Sequence, residues 1–464
     1  MGDNVIRKVG TVWKPELNPS IQIKYLAVVD AIIRAIRAGE LCPGDQLPTH
    51  RDLAWELKVN VSTITQAYKE ATRRYLIGGE VGRGTFVLAT SREAELFALK
   101  KTEPSSLIDL STNLPARHPD DKDSSSLLKE ALGKGAGIEA LSYHSPEILA
   151  RAQVASSKWL SWRGHEVEPR QIVPCAGAQQ GLLATLLALC EPGATVLVEE
   201  HTFPGMKAVA RQLRLRLHTI ACDAEGIIPE AYQVAIRNSG AKIAVLVPNL
   251  QNPTGSIMSK DRRRVISKIT RDHDLLIIED DVYGALSGMP PLALDLPDNS
   301  VIVSSLSKTV APGLRFGFLS GLERWIAPIR LEVHATNWSM SPFMIELACM
   351  WIEEDRAFTR ADWQRHEVKR RWNLAKSRLR ELGAVCWDRT PCPHLWLSTS
   401  VSSAEATRKL RAGGVEVVPD SFFAAGRQET DCIRICLTAP ESRTVLSHAL
   451  DKLVQCRDVF LNDK

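Results

Sequence analysis

The chain has 464 residues, 44% hydrophobic and 24% charged, and this length predicts more than one domain. The formal net charge of +4 is small for such a chain and does not by itself indicate a protein that binds nucleic acid or a membrane surface. The longest largely apolar run, Leu182–Cys190, falls far short of the roughly 20 residues of a membrane span, which excludes a helical membrane protein.

The ten cysteines are scattered singly, without a C-x-x-C pair and without His partners at metal-binding spacing. This pattern indicates reduced thiols in a cytoplasmic protein that holds no metal. Charge is distributed slightly unevenly, because residues 1–89 contain 12 Lys and Arg against 9 Asp and Glu, a net of +3. The excess is a weak indication that this part of the chain contacts an anionic partner.

Three short helices are predicted first. Apolar residues recur at helical spacing over 25–38, and Gly39 ends that helix. Thr49 begins a T-x-x-D capping pattern for a helix to about Leu57, and Asn60 is a good N-cap for a third helix. Two short strands, 77–81 and 85–88, flank a glycine turn. Three helices and a hairpin predict a winged helix-turn-helix domain over 1–89.

Residues 90–106 are polar and lack a sustained apolar period, which predicts a linker. From 107 to 464, continuous apolar strands alternate with longer helical stretches, and four of these strands are 195–198, 243–247, 275–278 and 301–303. Such strands are typical of a buried, mainly parallel sheet with helices on both faces. The fold class of this second domain is therefore α/β.

Several polar motifs follow these strands. Lys308 lies in a Ser-Leu-Ser-Lys segment directly after one strand, and Arg315 comes seven residues later. Asp280 ends the preceding strand 28 residues before Lys308, and Asn252, in Asn-Pro-Thr-Gly, lies 28 residues before Asp280. A lone lysine is most often a solvated surface residue, but this ordered set argues for a common site.

In these motifs the chain from about 107 to its end resembles the fold-type I, class I aminotransferases, which implies pyridoxal 5'-phosphate (PLP) as the cofactor and a small C-terminal α+β subdomain. The resemblance implies that Lys308 is the catalytic lysine that holds PLP as a Schiff base, and that Asp280 keeps the pyridine nitrogen protonated. It implies hydrogen bonds from Asn252 and Tyr283 to the ring phenolate oxygen. The remaining cofactor contacts that it implies are Ala178, Gln179, Phe203, Ser305 and Arg315.

Two further residues are assigned on the same resemblance. Tyr143 matches a tyrosine that reaches the phosphate bound by a partner subunit, which implies a homodimer. Arg434 lies in an apolar strand and matches the arginine that holds the α-carboxylate of the substrate. Two positions depart from the family pattern: Ala178 stands where a serine is frequent, and Ile148 stands where glycine is usual.

The N-terminal domain resembles the GntR family of winged helix-turn-helix proteins, in the segments Leu47–Ala54 and Thr63–Tyr68. The resemblance implies double-stranded operator DNA as the partner, with the third helix in the major groove. Val61 departs from the family, which commonly has an arginine at that position. The residues expected to contact DNA are Arg51, Ser62, Thr63, Thr65, Gln66 and Arg83, the last at the tip of the wing.

A GntR head followed by an aminotransferase-like domain is similar to the MocR subfamily. This order favours a PLP-dependent transcription regulator that senses an amino compound or PLP itself. The alternative is an active class I aminotransferase with an accessory DNA-binding head, and residual or full transaminase activity stays open. A scaffold with an inactive site is disfavoured by Lys308 and Asp280. The head discriminates between the first two, because transamination has no use for a recognition helix.

Overall fold

The computed structural model of the chain consists of two compact units, Met1–Glu103 and Pro104–Lys464. The residues described are 13–18, 21, 23–38, 41, 45–73, 76–80, 84–87, 107–123, 133, 143, 145–383, 387, 389–426 and 430–461. The predicted linker at 90–106 and the predicted wing-tip residue Arg83 lie outside these ranges.

The first unit contains helices α1 (Lys24–Ala38), α2 (His50–Glu56) and α3 (Val61–Arg73), followed by strands β1 (Ile77–Glu80) and β2 (Gly84–Val87). The strands pair antiparallel, with Ile77 opposite Val87. The helix starts match the capping signals, since the Thr49 hydroxyl accepts a hydrogen bond from the Asp52 amide at 3.3 Å. The predicted three helices and hairpin are confirmed.

One face of each helix packs into the core of this unit. Ile64, Ala67, Tyr68 and Ala71 of α3 are all buried, as their spacing predicts. The Tyr68 hydroxyl donates to the carbonyl of Pro48 at 2.8 Å, which fastens α3 to the segment that leads into α2. This packing leaves the opposite face of α3 available to solvent.

The second unit is built on a seven-stranded sheet with the strand order β4-β12-β11-β10-β9-β5-β6. All neighbours are parallel except β12, which runs against both β4 and β11. The predicted mainly parallel sheet is confirmed. Its strands are β4 (Ile172–Cys175), β5 (Thr195–Glu199), β6 (Arg216–Ile220), β9 (Ile243–Leu246), β10 (Leu276–Asp280), β11 (Ser300–Ser305) and β12 (Gly317–Gly321).

Helices cover this sheet and extend to the C-terminal region. They are α4 (Pro146–Trp162), α5 (Ala178–Leu189), α6 (Pro204–Gln212), α7 (Pro229–Ser239), α8 (Lys260–Asp272), α9 (Gly284–Ser287), α10 (Glu323–Thr336), α11 (Pro342–Glu353), α12 (Arg356–Leu379), α13 (Ser403–Ala412) and α14 (Arg443–Gln455). The central strands are buried along their whole length, because helices shield both faces of the sheet.

The C-terminal part forms a smaller α+β layer. Its antiparallel sheet has the order β13-β16-β15, with β13 (His394–Ser398), β15 (Val418–Pro419) and β16 (Cys432–Cys436). A short parallel pair joins β3 (Ile108–Asp109) to β14 (Val415–Glu416), so residues near the start of the second unit belong to this layer. A small hairpin is formed by β7 (Cys222–Asp223) and β8 (Gly226–Ile227).

Within the ranges that the structure describes, no helix is both long and apolar enough to cross a membrane. The same ranges contain no group of three or more His, Cys, Asp or Glu side chains placed to hold a metal ion.

Candidate functional site

The carboxyl ends of the parallel strands meet at one edge of the seven-stranded sheet. Strand β10 ends there at Asp280 and its neighbour β11 ends at Ser305, and a single 3-10 turn then places Lys308. Ligand sites in open α/β sheets form at this edge. The two residues with the strongest predicted roles, Asp280 and Lys308, are therefore brought together by adjacent strands.

Lys308 is partly buried, and its Nζ donates a hydrogen bond to the main-chain carbonyl of Asn113 at 2.7 Å. Burial lowers the pKa of the Lys308 amine to about 8; the positive charges of Arg434 and Arg315 act in the same direction, and Asp280 opposes them. The amine is thus far more often neutral near neutral pH than an ordinary lysine.

Asp280 is buried at the end of β10, and its carboxylate accepts a hydrogen bond from the amide of Val282 at 3.1 Å. Burial raises the pKa of this carboxyl group to about 7, and the nearby charge of Lys308 opposes the rise. A cationic group beside Asp280 would favour the carboxylate over the acid. The protonated pyridine nitrogen of PLP is such a cationic group.

Asn252, Tyr283 and Arg434 lie in the same region. The buried Arg434 guanidinium donates from Nη1 to Asn252 Oδ1 at 3.1 Å and lies 5.0 Å from the ring centre of Phe423. Burial lowers the pKa of Arg434 and raises that of Tyr283 well above its ordinary range. Within the described chain, the buried Tyr283 hydroxyl and Arg434 Nε have no hydrogen-bond partner. Each of these two groups therefore has an unused hydrogen-bonding capacity at the site.

The start of α5 is the segment for which a phosphate cradle is predicted. Gly177 precedes the helix with φ +87°, and no side chain caps the helix start. A Cβ atom on Gly177 would lie 2.7 Å from Arg315 Nη2, so glycine permits this arginine to approach the helix terminus. Free amide groups, the helix dipole and a guanidinium together suit a phosphate. The donor and acceptor groups present match the chemistry of PLP at both its ring and its phosphate ends.

Other predicted cofactor contacts are placed less directly. Ala178 is the first residue of α5, and the exposed Gln179 donates through Nε2 to the Gly205 carbonyl at 3.0 Å. The buried Ser305 hydroxyl donates to the Phe316 carbonyl at 2.9 Å, so a phosphate contact would require it to change partner. Phe203 is partly buried. It occupies the N-cap position of α6, and its side chain packs against the core on the sheet.

Tyr143 is 75% exposed, and among the described residues it makes no hydrogen bond, ion pair or ring contact with the site. An exposed tyrosine is consistent with the predicted contact to a partner subunit. The role of Tyr143 therefore stays a prediction, as does the homodimer.

In the first unit, the predicted DNA contacts cluster at the starts of α2 and α3. Arg51, Ser62 and Gln66 are exposed. Thr63 is half-buried, and the hydroxyl of the half-buried Thr65 donates to the Val61 carbonyl at 3.0 Å and lies 3.2 Å from His50 Nδ1. Ser62 and Gln66 are therefore better placed to reach a base than Thr65.

Sequence reasoning missed the segment that crosses the site. Residues 107–116 lie beside both cationic groups: Lys308 donates to Asn113, and Arg434 Nη2 donates to the carbonyl of Ser111. Asn113 and Leu114 also line a narrow crevice next to Lys308 and Tyr283. The contacts use main-chain carbonyls, which every residue type provides, so the sequence contains no signal for them.

The fold and this arrangement of groups define an aminotransferase-like protein of fold-type I. Residues 105–453 match the family model for aminotransferase class I and II, and residues 24–87 match that for bacterial regulatory proteins of the gntR family. An archaeal alanine:glyoxylate aminotransferase has the same fold, with a TM-score of 0.70 and 20% identity over 84% of this chain and 98% of its own.

Two transcription regulators match most of the chain. The HTH-type transcriptional regulator YdeF of Bacillus subtilis is 29% identical over 94% of this chain and 95% of its own length. The HTH-type pyridoxine biosynthesis transcriptional regulator PdxR of Corynebacterium glutamicum is 29% identical over 63% of this chain and 64% of its own length.

The chain belongs to the aminotransferase class I and II family. Its gntR-family head makes it a DNA-binding transcription regulator of the MocR type, and the family implies PLP as the cofactor.

Proposed function

We propose that this regulator is a cytoplasmic homodimer that binds operator DNA through its paired heads and senses an amino compound, or PLP itself, in the site around Lys308. The observation that carries the proposal is the convergence of Arg434, from strand β16 of the C-terminal sheet, with Lys308 and Asp280 at the carboxyl ends of the parallel strands, in a chain that also contains a recognition helix. PdxR supports a link between this architecture and vitamin B6, because its name places it in pyridoxine biosynthesis.

The residues of this chain divide the work of holding the cofactor. Arg315 and the start of α5 would hold the phosphate, Asp280 the ring nitrogen, and Tyr283 and Asn252 the ring oxygen. Bound PLP supplies an aldehyde that condenses with amines and a ring that withdraws electrons. Lys308 contributes an amine with a lowered pKa, which favours the neutral form needed for attack on a carbonyl carbon.

The effector would be recognised at two points. Its amine would compete with Lys308 for the cofactor, and its carboxylate would pair with Arg434, whose guanidinium is buried and can bind both oxygens of a carboxylate. Since a ligand shifts an equilibrium only by its differential affinity, the effector must bind the DNA-competent and DNA-incompetent states unequally.

The experiment compares the absorbance spectrum of the purified full-length protein with that of Lys308→Ala, with Lys268→Ala as the matched control. Lys268 is an exposed lysine on α8, paired with Asp272. We expect a visible band of lysine-bound PLP in the wild type and in Lys268→Ala, and its loss in Lys308→Ala. Binding to DNA from the region upstream of the gene is then measured with and without amino acids.

Specific, salt-sensitive DNA binding that an amino acid changes would support the regulator. Rapid turnover of amino groups together with no specific DNA binding would instead make the chain an aminotransferase with an accessory head. A spectrum unchanged in Lys308→Ala would contradict the assigned role of the lysine.

A further inference from the structure

Residues 107–116, here called the strap, are the first described residues after the predicted linker. The strap begins on the small C-terminal layer, where the amides of Ile108 and Leu110 donate to the carbonyls of Gly414 and Glu416, both at 2.9 Å. It ends on α12, where the Ala116 amide and carbonyl bond the buried Gln364 side chain at 3.1 and 2.6 Å. The strap is therefore fastened at both ends.

Between these ends the strap passes the two cations of the site. The Asn113 carbonyl accepts from Lys308 Nζ at 2.7 Å, and the Ser111 carbonyl accepts from Arg434 Nη2. Both groups have further N–H donors, so a ligand competes with a strap carbonyl when it bonds to Lys308 Nζ itself or takes up the Arg434 Nη2 donor. Hydrogen bonds from charged donors are stronger than those between neutral groups, so this competition affects ligand binding.

A tight turn holds the Ser111 carbonyl in place. Asp109 Oδ1 accepts from the Ser111 amide at 2.8 Å, from the Ser111 hydroxyl at 2.6 Å and from the Thr112 amide at 3.2 Å. Asp109 is a positioning residue, because it holds the turn and makes no hydrogen bond or ion pair with Arg434. Its negative charge acts on Arg434 from a distance. Asp109 offers a way to loosen the strap without removing either cation.

We propose that the strap reports occupancy of the Lys308–Arg434 site to the DNA-binding head. A ligand at either cation releases the strap carbonyl bonded to it, the strap shifts, and the chain that continues from its start into the linker and the head transmits the change. This inference rests on the proposed function, because it assumes that the head binds DNA and that the site binds PLP.

The test uses PLP itself as the probe on the full-length protein. Apo-protein and PLP-loaded protein are compared by hydrogen exchange of peptides that cover 107–116 and by affinity for DNA from the upstream region. We expect PLP to increase exchange in the strap and to change the DNA dissociation constant by a factor of roughly 5 or more.

Asp109→Ala should retain the visible cofactor band and DNA binding but lose most of the PLP-dependent change in the dissociation constant. Asp109→Asn keeps an acceptor oxygen for the turn and should restore that change, which separates the turn from the charge of Asp109. Asp261→Ala, at an exposed carboxylate on α8, is the matched control and should behave like the wild type.

Strap exchange that does not respond to PLP would overturn the proposal, and this measurement on the wild type does not depend on the folding of any variant. A full PLP response of DNA affinity in Asp109→Ala would overturn it too, while leaving the regulator intact. Absence of specific DNA binding in both apo-protein and PLP-loaded protein would contradict the proposed function instead. Hydrogen exchange of 107–116 would still show whether the strap responds to PLP.

Discussion

At the residue scale, the site is governed by the cost of burying charge. Asp280 and Lys308 carry opposite charges, yet burial shifts the pKa of each toward its neutral form, to about 7 and about 8. Arg434 is held buried by carbonyl and amide oxygens. Groups so arranged respond strongly to a ligand that adds charge, because little solvent screens them.

The lowered pKa of Lys308 predicts how covalent capture of PLP depends on pH. The neutral amine is the attacking form, so in apo-protein the initial rate should rise with pH and level off above about pH 8. The rate is measured as growth of the visible band after PLP is mixed with apo-protein at several pH values. A rate that keeps rising to pH 10, as for a free lysine side chain, would contradict the lowered pKa.

A buried ion pair next to the site predicts a loss of stability. Arg163 Nη2 lies 3.2 Å from Asp281 Oδ1, with 3% and 1% of the two side chains exposed. Arg163→Ala leaves a buried carboxylate without its cation, so the free energy of unfolding of the second unit should fall by about 3–5 kcal/mol. Urea denaturation followed by circular dichroism measures the change.

The control for this variant is Arg264→Ala, which removes an exposed pair with Asp261 whose side chains are 73% and 88% exposed. Its effect should be within about 1 kcal/mol. Equal losses of unfolding free energy in the two variants would show that the buried Arg163–Asp281 pair stabilises the protein no more than the exposed Arg264–Asp261 pair does.

At the element scale, sequence patterns predicted what hydrophobic period and capping encode. The three head helices, the hairpin and the four named strands of the sheet follow from such patterns, and so does the position of Asp280 at a strand end. Short elements were not predicted, because the two-residue strands β3 and β14 have too few residues to show a hydrophobic period. The strap was not predicted for the same reason, and because its contacts are made by main-chain atoms.

The recognition helix α3 gives a prediction at this scale. Gln66 is exposed, whereas the neighbouring Thr65 bonds within the head. Gln66→Ala should weaken specific DNA binding by about 1–3 kcal/mol and leave non-specific binding nearly unchanged, because a glutamine amide reads base edges. Binding is measured against specific and scrambled DNA. Lys24→Ala, at the exposed start of α1, is the control, and equal effects of both variants would remove Gln66 as a base contact.

At the scale of the whole molecule, the two units divide recognition from sensing. The head has a core of its own, formed by α1, α2, α3 and the hairpin, and the second unit contains every predicted cofactor contact. The strap and linker are the covalent route between these functions. What the sequence could not give at this scale is the effector, because the groups around Lys308 recognise an amine and a carboxylate that many compounds share.

The proposed homodimer yields a test by mixing subunits. If Tyr143 serves the site of a partner subunit, Tyr143→Ala should weaken PLP binding, and Lys308→Ala should abolish the lysine-bound band. A mixed dimer of the two variants contains one site with an intact Lys308 from one subunit and an intact Tyr143 from the other. Co-refolding the variants should therefore restore a population with wild-type PLP affinity, measured by titration of the visible band. If Tyr143 acted within its own chain, no mixed site would hold both residues and mixing would restore nothing.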